Sequence, residues 1–457
     1  MKNAVSKQTY LLGLLLLSES WQAQAAPFSE EALSQAQIGL GEVSYFERRL
    51  NFPQFTAHGR GVLRNDYVEA VGEADGMVTL NHREDLSYLF VQEAYVGNSS
   101  KFSHFSVGRK KVEWSLLDEA WKLGVWQPRL RWDYLQPQTA GLTGLFFEQQ
   151  AGNWAKLTLF GSPVFIPEQG APFQVSNGQF HSSSPWFSPP LSSLDLFGRQ
   201  TTVDYTLHTP SIRQIVQQPS WGVSGLVGQS QGPWGRVSYA QKPVNQIMVD
   251  YDGTLDLSDL EAKINIYPKV VQHHVGTIES GLNLGPVRSW VSGLAEAPVK
   301  PTYDSNRPER TQQMLGTSFA AGPGVDWDIV GTGAQAITAH ASYIRLWGGE
   351  ANDQGPLSPK NGSVFESRFP YRNAFNLGMT VPFYDFTSRG QFVYDTSQKA
   401  AIVSGGLQYH PGTHWVLSAG ADLIGVEPLS GAPQPRTNMI RRFQTNDRAY
   451  GGVSYVF

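Results

Sequence analysis

The residues best placed to do chemistry lie at Ile247-Met248-Val249-Asp250-Tyr251-Asp252-Gly253-Thr254-Leu255, where two aspartates follow an apolar run and precede Gly-Thr. Aspartates so placed offer a carboxylate nucleophile or a metal ligand. No helix-period segment flanks the motif to carry either role. The histidines offer less. His410 and His414 straddle a Pro-Gly turn, His273 and His274 fall on opposite faces of one strand, and no third ligand completes a metal site. No strict G-x-S-x-G is present. The expectation is no enzyme activity, no metal and no cofactor.

The elements that would have to position such residues are not enzyme-like either. The chain has 457 residues, 40% hydrophobic, 16% charged and 12% aromatic, with no cysteine and a formal net charge of −4. The aromatic content excludes a disordered chain. The missing cysteine excludes a disulfide scaffold and a thiolate metal site. The absence of a basic surplus argues against nucleic acid as a partner.

Residues 1–25 read as a secretory signal. Lys2 and Lys7 make a positive start, residues 10–17 (YLLGLLLL) an apolar run, and Ala23-Gln24-Ala25 a small-x-small cleavage site. The run is far short of the roughly 20 apolar residues a helical span requires, and no later segment reaches that length. An exported chain is expected, with residues 26–457 as one domain.

That domain follows period two. Trp415, Leu417, Ala419, Ala421 and Leu423 alternate with polar or small residues, and so do Ala401 to Tyr409, Val203 to Leu207 and Leu260 to Ile266. Turn signals punctuate the strands at Asp75-Gly76, Ala151-Gly152-Asn153, Gln231-Gly232-Pro233 and His410-Pro411-Gly412-Thr413. Long polar or proline-rich stretches fall at 111–142, 162–198, 349–370 and 426–445. Short turns on one end and long loops on the other predict an all-β, transmembrane antiparallel up-and-down β-barrel of about 18 strands (range roughly 16–22), with one inward-folded loop. On this reading the motif at 247–255 is a barrel strand with an Asp-Gly kink.

Two segments carry resemblances. Ala449, Gly451, Val453, Tyr455 and Phe457 share one face of the last strand, which resembles the final strand of Gram-negative outer-membrane barrels. The resemblance implies that Val453, Tyr455 and Phe457 form the signal read by the barrel-assembly machinery. Glu93-Ala94-Tyr95-Val96-Gly97, followed by Phe105-Ser106-Val107-Gly108-Arg109-Lys110, resembles the paired strands of general porins over about 20 residues. It implies a cell outer membrane location, contact with outer-membrane lipid and lipopolysaccharide, and a homotrimer. It also implies that the next segment, 111–142, is the loop that folds inward and narrows the pore. The acidic, glycine-rich loop motif of enteric porins is missing, so only Arg109 transfers as a residue. The motif at 247–255 likewise resembles the first motif of haloacid-dehalogenase-type phosphatases, without its context.

Segment 111–142 holds Trp114, Trp121, Trp126 and Trp132 among charges of both signs. Trp114, Leu117 and Trp121 at helical spacing, an Asp118–Lys122 pair and Gly124 as terminator predict a short amphipathic helix against the wall. The expected pore constriction is Arg109, Lys111, Asp118, Glu119, Arg129, Arg131 and Asp133, whose opposed charges favour polar solutes. Expected to line the lumen are Asp204, His208, Glu261, Lys263, Asp422 and Arg448. Segment 162–198, rich in Pro and Phe and charged only at Glu168 and Asp195, is the candidate extracellular cap. The function this predicts is a porin passing small polar solutes and ions by diffusion. Alternatives are a substrate-specific channel, with loop tryptophans stacking on sugars, a non-conducting structural or adhesive barrel, and an exported soluble β protein or enzyme.

Overall fold

The computed structural model describes residues 31–457 apart from 82–85, 99, 101, 197, 229–230, 257–260, 301–302, 331–336, 350–351, 359–367 and 427–438. The expected signal at 1–25 lies outside the described residues. Eighteen strands form one antiparallel sheet. The first nine are β1 (Glu31–Tyr45), β2 (Leu50–Arg64), β3 (Val68–Thr79), β4 (Tyr88–Asn98), β5 (Ser103–Lys110), β6 (Leu142–Ala151), β7 (Ala155–Ser162), β8 (Ser220–Gly228) and β9 (Gly232–Pro243). The second nine are β10 (Gln272–Leu284), β11 (Val287–Pro298), β12 (Ser318–Val330), β13 (Ile337–Gly348), β14 (Asn373–Phe383), β15 (Phe386–Asp395), β16 (Ala400–Tyr409), β17 (Trp415–Val426) and β18 (Arg448–Val456). Each strand pairs with the next, and β1 also pairs with β18 from Gln37↔Val456 to Tyr45↔Arg448, which closes the barrel.

The even count puts both ends of the described chain at one rim. That rim carries short connections such as Gly152–Asn153–Trp154 and Gly285–Pro286, while the opposite rim carries the long ones at 111–141, 163–219, 244–271, 299–317, 349–372 and 427–447. The expected asymmetry is present. Asp75-Gly76 is not a turn: it lies inside β3, beside a register shift at Glu73/Ala74. A bulge uses a small residue as readily as a turn does.

The wall alternates as a membrane barrel must. On β10 the inward Thr277 and Glu279 are buried, whereas Ile278 between them is 65% exposed. Among the described residues, only Glu42, Arg109, His274 and Arg345 place an acidic or basic side chain on the outward register, all within three residues of the long-loop rim. Exposed aromatics edge the apolar band, with Trp221, Phe319, Trp347 and Phe375 toward the long-loop rim and Trp327, Phe383, Trp415 and Phe457 toward the other. From Phe375 to Phe383 is eight residues, about 26 Å of strand and about 20 Å once tilted. That approaches the apolar band of about 25 Å typical of such barrels.

Inside, large rings lie across neighbouring glycines. Trp234 on β9 and Trp290 on β11 flank Gly281 on β10 in one register row, and Gly324 on β12 follows. A Cβ at Gly281 or Gly324 would overlap the Trp234 or Trp290 indole, so these positions admit only glycine.

A second sheet stands apart from the wall at the long-loop rim. Its order is Ser193–Leu196, Arg199–Leu207, Glu261–Lys269, Met248–Asp256, Thr311–Met314 and Asn352–Gln354, all drawn from loops. It buries Val203, Tyr205, Ala262 and Ile266. The segments at 203–207, 248–255 and 261–266, expected in the barrel, belong here, and Leu260 lies outside the described residues. The Asp250/Asp252 motif is therefore a strand paired antiparallel to Glu261–Lys269, with Gly253 in its middle.

Candidate functional site

β5 and β6 have only 8 and 10 residues, so segment 111–141 leaves the wall partway along the barrel and turns inward. Its first half is fastened to β9–β11. The backbone N–H of Leu116 donates to Glu279 Oε1 at 2.6 Å, and Ser238 Oγ donates to the Trp114 carbonyl at 3.0 Å. Trp126 Nε1 donates to Thr277 Oγ1 at 2.7 Å, and Asn245 Nδ2 to the Gly124 carbonyl at 2.7 Å. Between these anchors runs α1 (Leu116–Trp121), capped by Ser115. Trp114 and Trp126 stack at 5.1 Å and pack against Phe160 on β7.

The second half reaches the far wall. Asp133 Oδ2 accepts from Arg448 Nη1 at 2.7 Å, and Arg448 Nε donates to Asp422 Oδ2 at 2.7 Å. Thr277 and Arg448 sit on strands eight apart in a ring of eighteen, so the loop spans the lumen.

The expected helix exists, but two of its details differ. Lys122, at φ 49°, is the left-handed terminator, not Gly124. Lys122 does not pair with Asp118, because that backbone turn sends its Nζ to the Leu135 carbonyl at 3.4 Å. Asp118 instead accepts from the backbone of Val125 and Trp126, both at 3.0 Å. Arg129, 2% exposed, is held by the Asp118 carbonyl at 3.0 Å and by Glu119 at 3.6 Å. Arg131 pairs with Glu168 at 3.2 Å. Burial would lower the Arg131 pKa, but Glu168 outweighs it and holds the guanidinium above its usual value. Burial raises the Glu119 carboxyl, and Arg129 offsets this only in part. These residues are struts inside the loop.

The loop's more open charges lie elsewhere. Glu113, half-exposed, pairs with Arg236 at 2.6 Å and Arg288 at 3.4 Å on the wall. Burial pushes its carboxyl up, and the two arginines more than offset that and hold it below the usual range. Lys111 meets Glu73 at 2.9 Å. Arg109 shares the outward register of Val107 and Leu145, because strand alternation places it there, and its Nε donates to the Gly141 carbonyl at 3.2 Å. Its guanidinium lies 5.6 Å from the ring of Phe90, which packs on Leu130 and Ala140 of the loop.

Of the residues expected to line the lumen, Asp422 and Arg448 are on the inner wall and paired. Asp204, His208, Glu261 and Lys263 are not on the wall. They belong to the second sheet and its edge, with Lys263 bound to Glu261 at 3.2 Å and His208 stacked on Tyr267. The period that suggested a barrel there reports one buried face, whatever covers it. Val453 and Tyr455 lie on the outward register of β18, followed by the exposed Phe457.

Sequence reasoning missed Trp186 and Phe443. Trp186, 3% exposed, packs on Tyr45, Tyr134 and Phe443, with ring centres 6.4, 6.1 and 5.2 Å away. The lone Glu168 in an otherwise nearly uncharged stretch was the available signal that segment 162–198 turns inward to meet a partner.

Fold and site together define a porin-like transmembrane β-barrel whose lumen is crossed by an inserted loop. No known family model matches the sequence, and no curated protein matches it in sequence. Among solved structures, similar folds include OpdK of Pseudomonas aeruginosa, solved with vanillate (9% identity, 94% of this chain and 99% of that one, TM-score 0.47). Others are Salmonella typhi OmpF, in complex with daunomycin (10%, 93% and 97%, 0.41), and a mutant of the Rh. blastica porin (10%, 93% and 100%, 0.39).

Proposed function

We propose that this protein is an outer-membrane porin that passes small polar solutes and ions by passive diffusion, constricted by loop 111–142. The observation that carries this is the Asp133–Arg448 pair at 2.7 Å, which ties an inserted loop to the inner wall opposite its first anchors. An uncharged apolar outer band and a polar, ion-paired inner wall support the membrane placement. Trp114 and Trp126 are buried against each other and the wall, which speaks against sugar stacking on them. Selectivity is electrostatic and lies with the half-exposed Glu113 and Arg288 and with Lys111, because Arg129 is neutralised by Glu119 within the loop and Arg131 by Glu168 of segment 163–219. Export through a cleaved segment 1–25, insertion guided by Val453, Tyr455 and Phe457, contact with lipopolysaccharide, a cap at 162–198 and homotrimer assembly complete the reading.

Planar-bilayer recording in a salt gradient tests it. Deleting residues 114–126 should enlarge the conductance. Glu113→Gln should move the reversal potential toward anion preference, and Arg288→Gln toward cation preference. Unchanged conductance after the deletion, with the barrel folded, would end the constriction reading.

A further inference from the structure

The two halves of the lumen-crossing loop are held differently. The half at 113–126 is tied to β9–β11 by backbone-directed hydrogen bonds and the Glu113–Arg236 pair. The second half is tied to segment 163–219 by the Arg131 N–H, which donates to the Gln169 carbonyl at 2.7 Å, and to Leu86 by Trp132 Nε1, which donates to its carbonyl at 2.9 Å. Around Tyr134 it ends in a seam of rings contributed by three loops. Tyr134 comes from 111–141, Trp186 from 163–219 and Phe443 from 427–447, with Tyr134–Phe443 at 5.0 Å and Trp186–Phe443 at 5.2 Å. Tyr45 on β1 closes the seam against the wall, and Trp186 Nε1 donates to its hydroxyl at 3.1 Å. Asp133–Arg448 and an Asn446–Pro185 hydrogen bond of 2.8 Å are its polar fasteners.

This seam belongs to one contiguous apolar cluster that also takes in Trp121, Phe369 and Tyr371, and inner-wall residues such as Val275, Leu294 and Ile344. On the far side Trp121 and Tyr371 meet at 5.4 Å, and Arg368 grips Glu296 on β11 through two bonds of 2.8 and 2.9 Å. The apolar cluster therefore crosses the lumen from β1 to β13, and it also takes in inner-wall residues such as Phe146, Phe160, Val393, Ile402 and Ile424. A hydrophobic closure of this kind excludes ions because water leaves it, and it conducts only when its parts separate.

We infer that the Tyr134–Trp186–Phe443 seam is a gate, and that solutes pass when segments 183–187 and 439–443 part from the Tyr134 half of loop 111–141. This rests on the channel reading above. It makes passage intermittent: the fixed half stays on β9–β11 while the rings disengage. Ring contacts separate without leaving polar groups unpaired, and the bonds that parting must also break are those of the Ile440 N–H (3.0 Å) and Arg441 Nε (3.2 Å) to Gln398.

Single-channel recording on the whole refolded protein is the test. The native protein should show long closed periods broken by discrete openings. Trp186→Ala should raise the open fraction at least tenfold, and Trp186→Phe, which keeps a ring, should fall between. Phe443→Ala serves if Trp186→Ala does not fold, as judged by mobility on unheated gels. The chain has no cysteine, so a Tyr134→Cys/Phe443→Cys pair joined by a short thiol-reactive bridge should hold the channel shut. Steady current in the native protein, unchanged in folded Trp186→Ala or Phe443→Ala, overturns the gate and leaves the channel reading intact. No current from any form, including one lacking both 114–126 and 439–443, overturns the channel reading itself.

Discussion

β10 and the strand Glu261–Lys269 both alternate apolar and polar residues, yet one spans the barrel wall and the other belongs to a sheet outside it. The difference lies in what each exposes. β10 turns Ile278 and Leu282 outward and buries Thr277 and Glu279, whereas the other strand buries Ala262 and Ile266 and exposes Lys263. A wall strand hides its polar row and shows its apolar row to lipid. A soluble strand does the reverse. Alternation alone is symmetric between the two, so the sign of the exposed row carries the information, and sequence shows that sign only once the covered face is known.

Each of three changes would break or sharpen this contrast. The largest effect should come from the inner row. Arg448→Ala leaves Asp133 and Asp422 without their shared cation, and losing one partner of a buried ionic set costs about 3–5 kcal/mol. Heat-dependent gel mobility should show the barrel opening at a clearly lower temperature, and an unchanged midpoint would mean the pair is peripheral.

Next comes the outer row. Ile278→Arg at mid-strand places a charge in hydrocarbon, at a cost of about 2–4 kcal/mol. The matching change Thr206→Arg, on an exposed position of the second sheet, should stay within about 0.5 kcal/mol. Equal effects of the two in a refolding titration would contradict the assignment of the two surfaces.

The smallest effect concerns pH. The Glu119 carboxyl is raised in the folded protein, chiefly by burial, so folding favours its protonated form. The stability it adds is complete below its unfolded pKa and is lost as pH rises through the folded value. Acidifying through that window should therefore raise the native melting midpoint relative to Glu119→Gln, and parallel curves for the two proteins would show that Glu119 is not the group responsible.

Much of the architecture was legible in the residues. The short-turn, long-loop rhythm, the strand number and the helix at the Trp114–Trp121 spacing all follow from local pattern, because pleat and helix periods are local properties. Charge pairing in the loop was not legible. Asp118 prefers backbone donors at Val125 and Trp126 to Lys122 because a left-handed residue intervenes. Arg131 meets Glu168 from another loop altogether.

The sequence by itself determined that this chain makes strands with one apolar row, that those strands are joined alternately by short and long connections, and that no thiol chemistry is available. Only the tertiary structure decided which rows face lipid. It also decided that Asp204, His208, Glu261 and Lys263 stand outside the wall, that Arg109 falls on the outward register with its guanidinium over Phe90, and that Tyr134, Trp186 and Phe443 converge on β1. The reason is physical: backbone period follows from neighbours in the chain, whereas ring closure brings residues such as Tyr45 and Arg448, at opposite ends of the sequence, onto paired strands. Long loops then meet partners that no local pattern specifies.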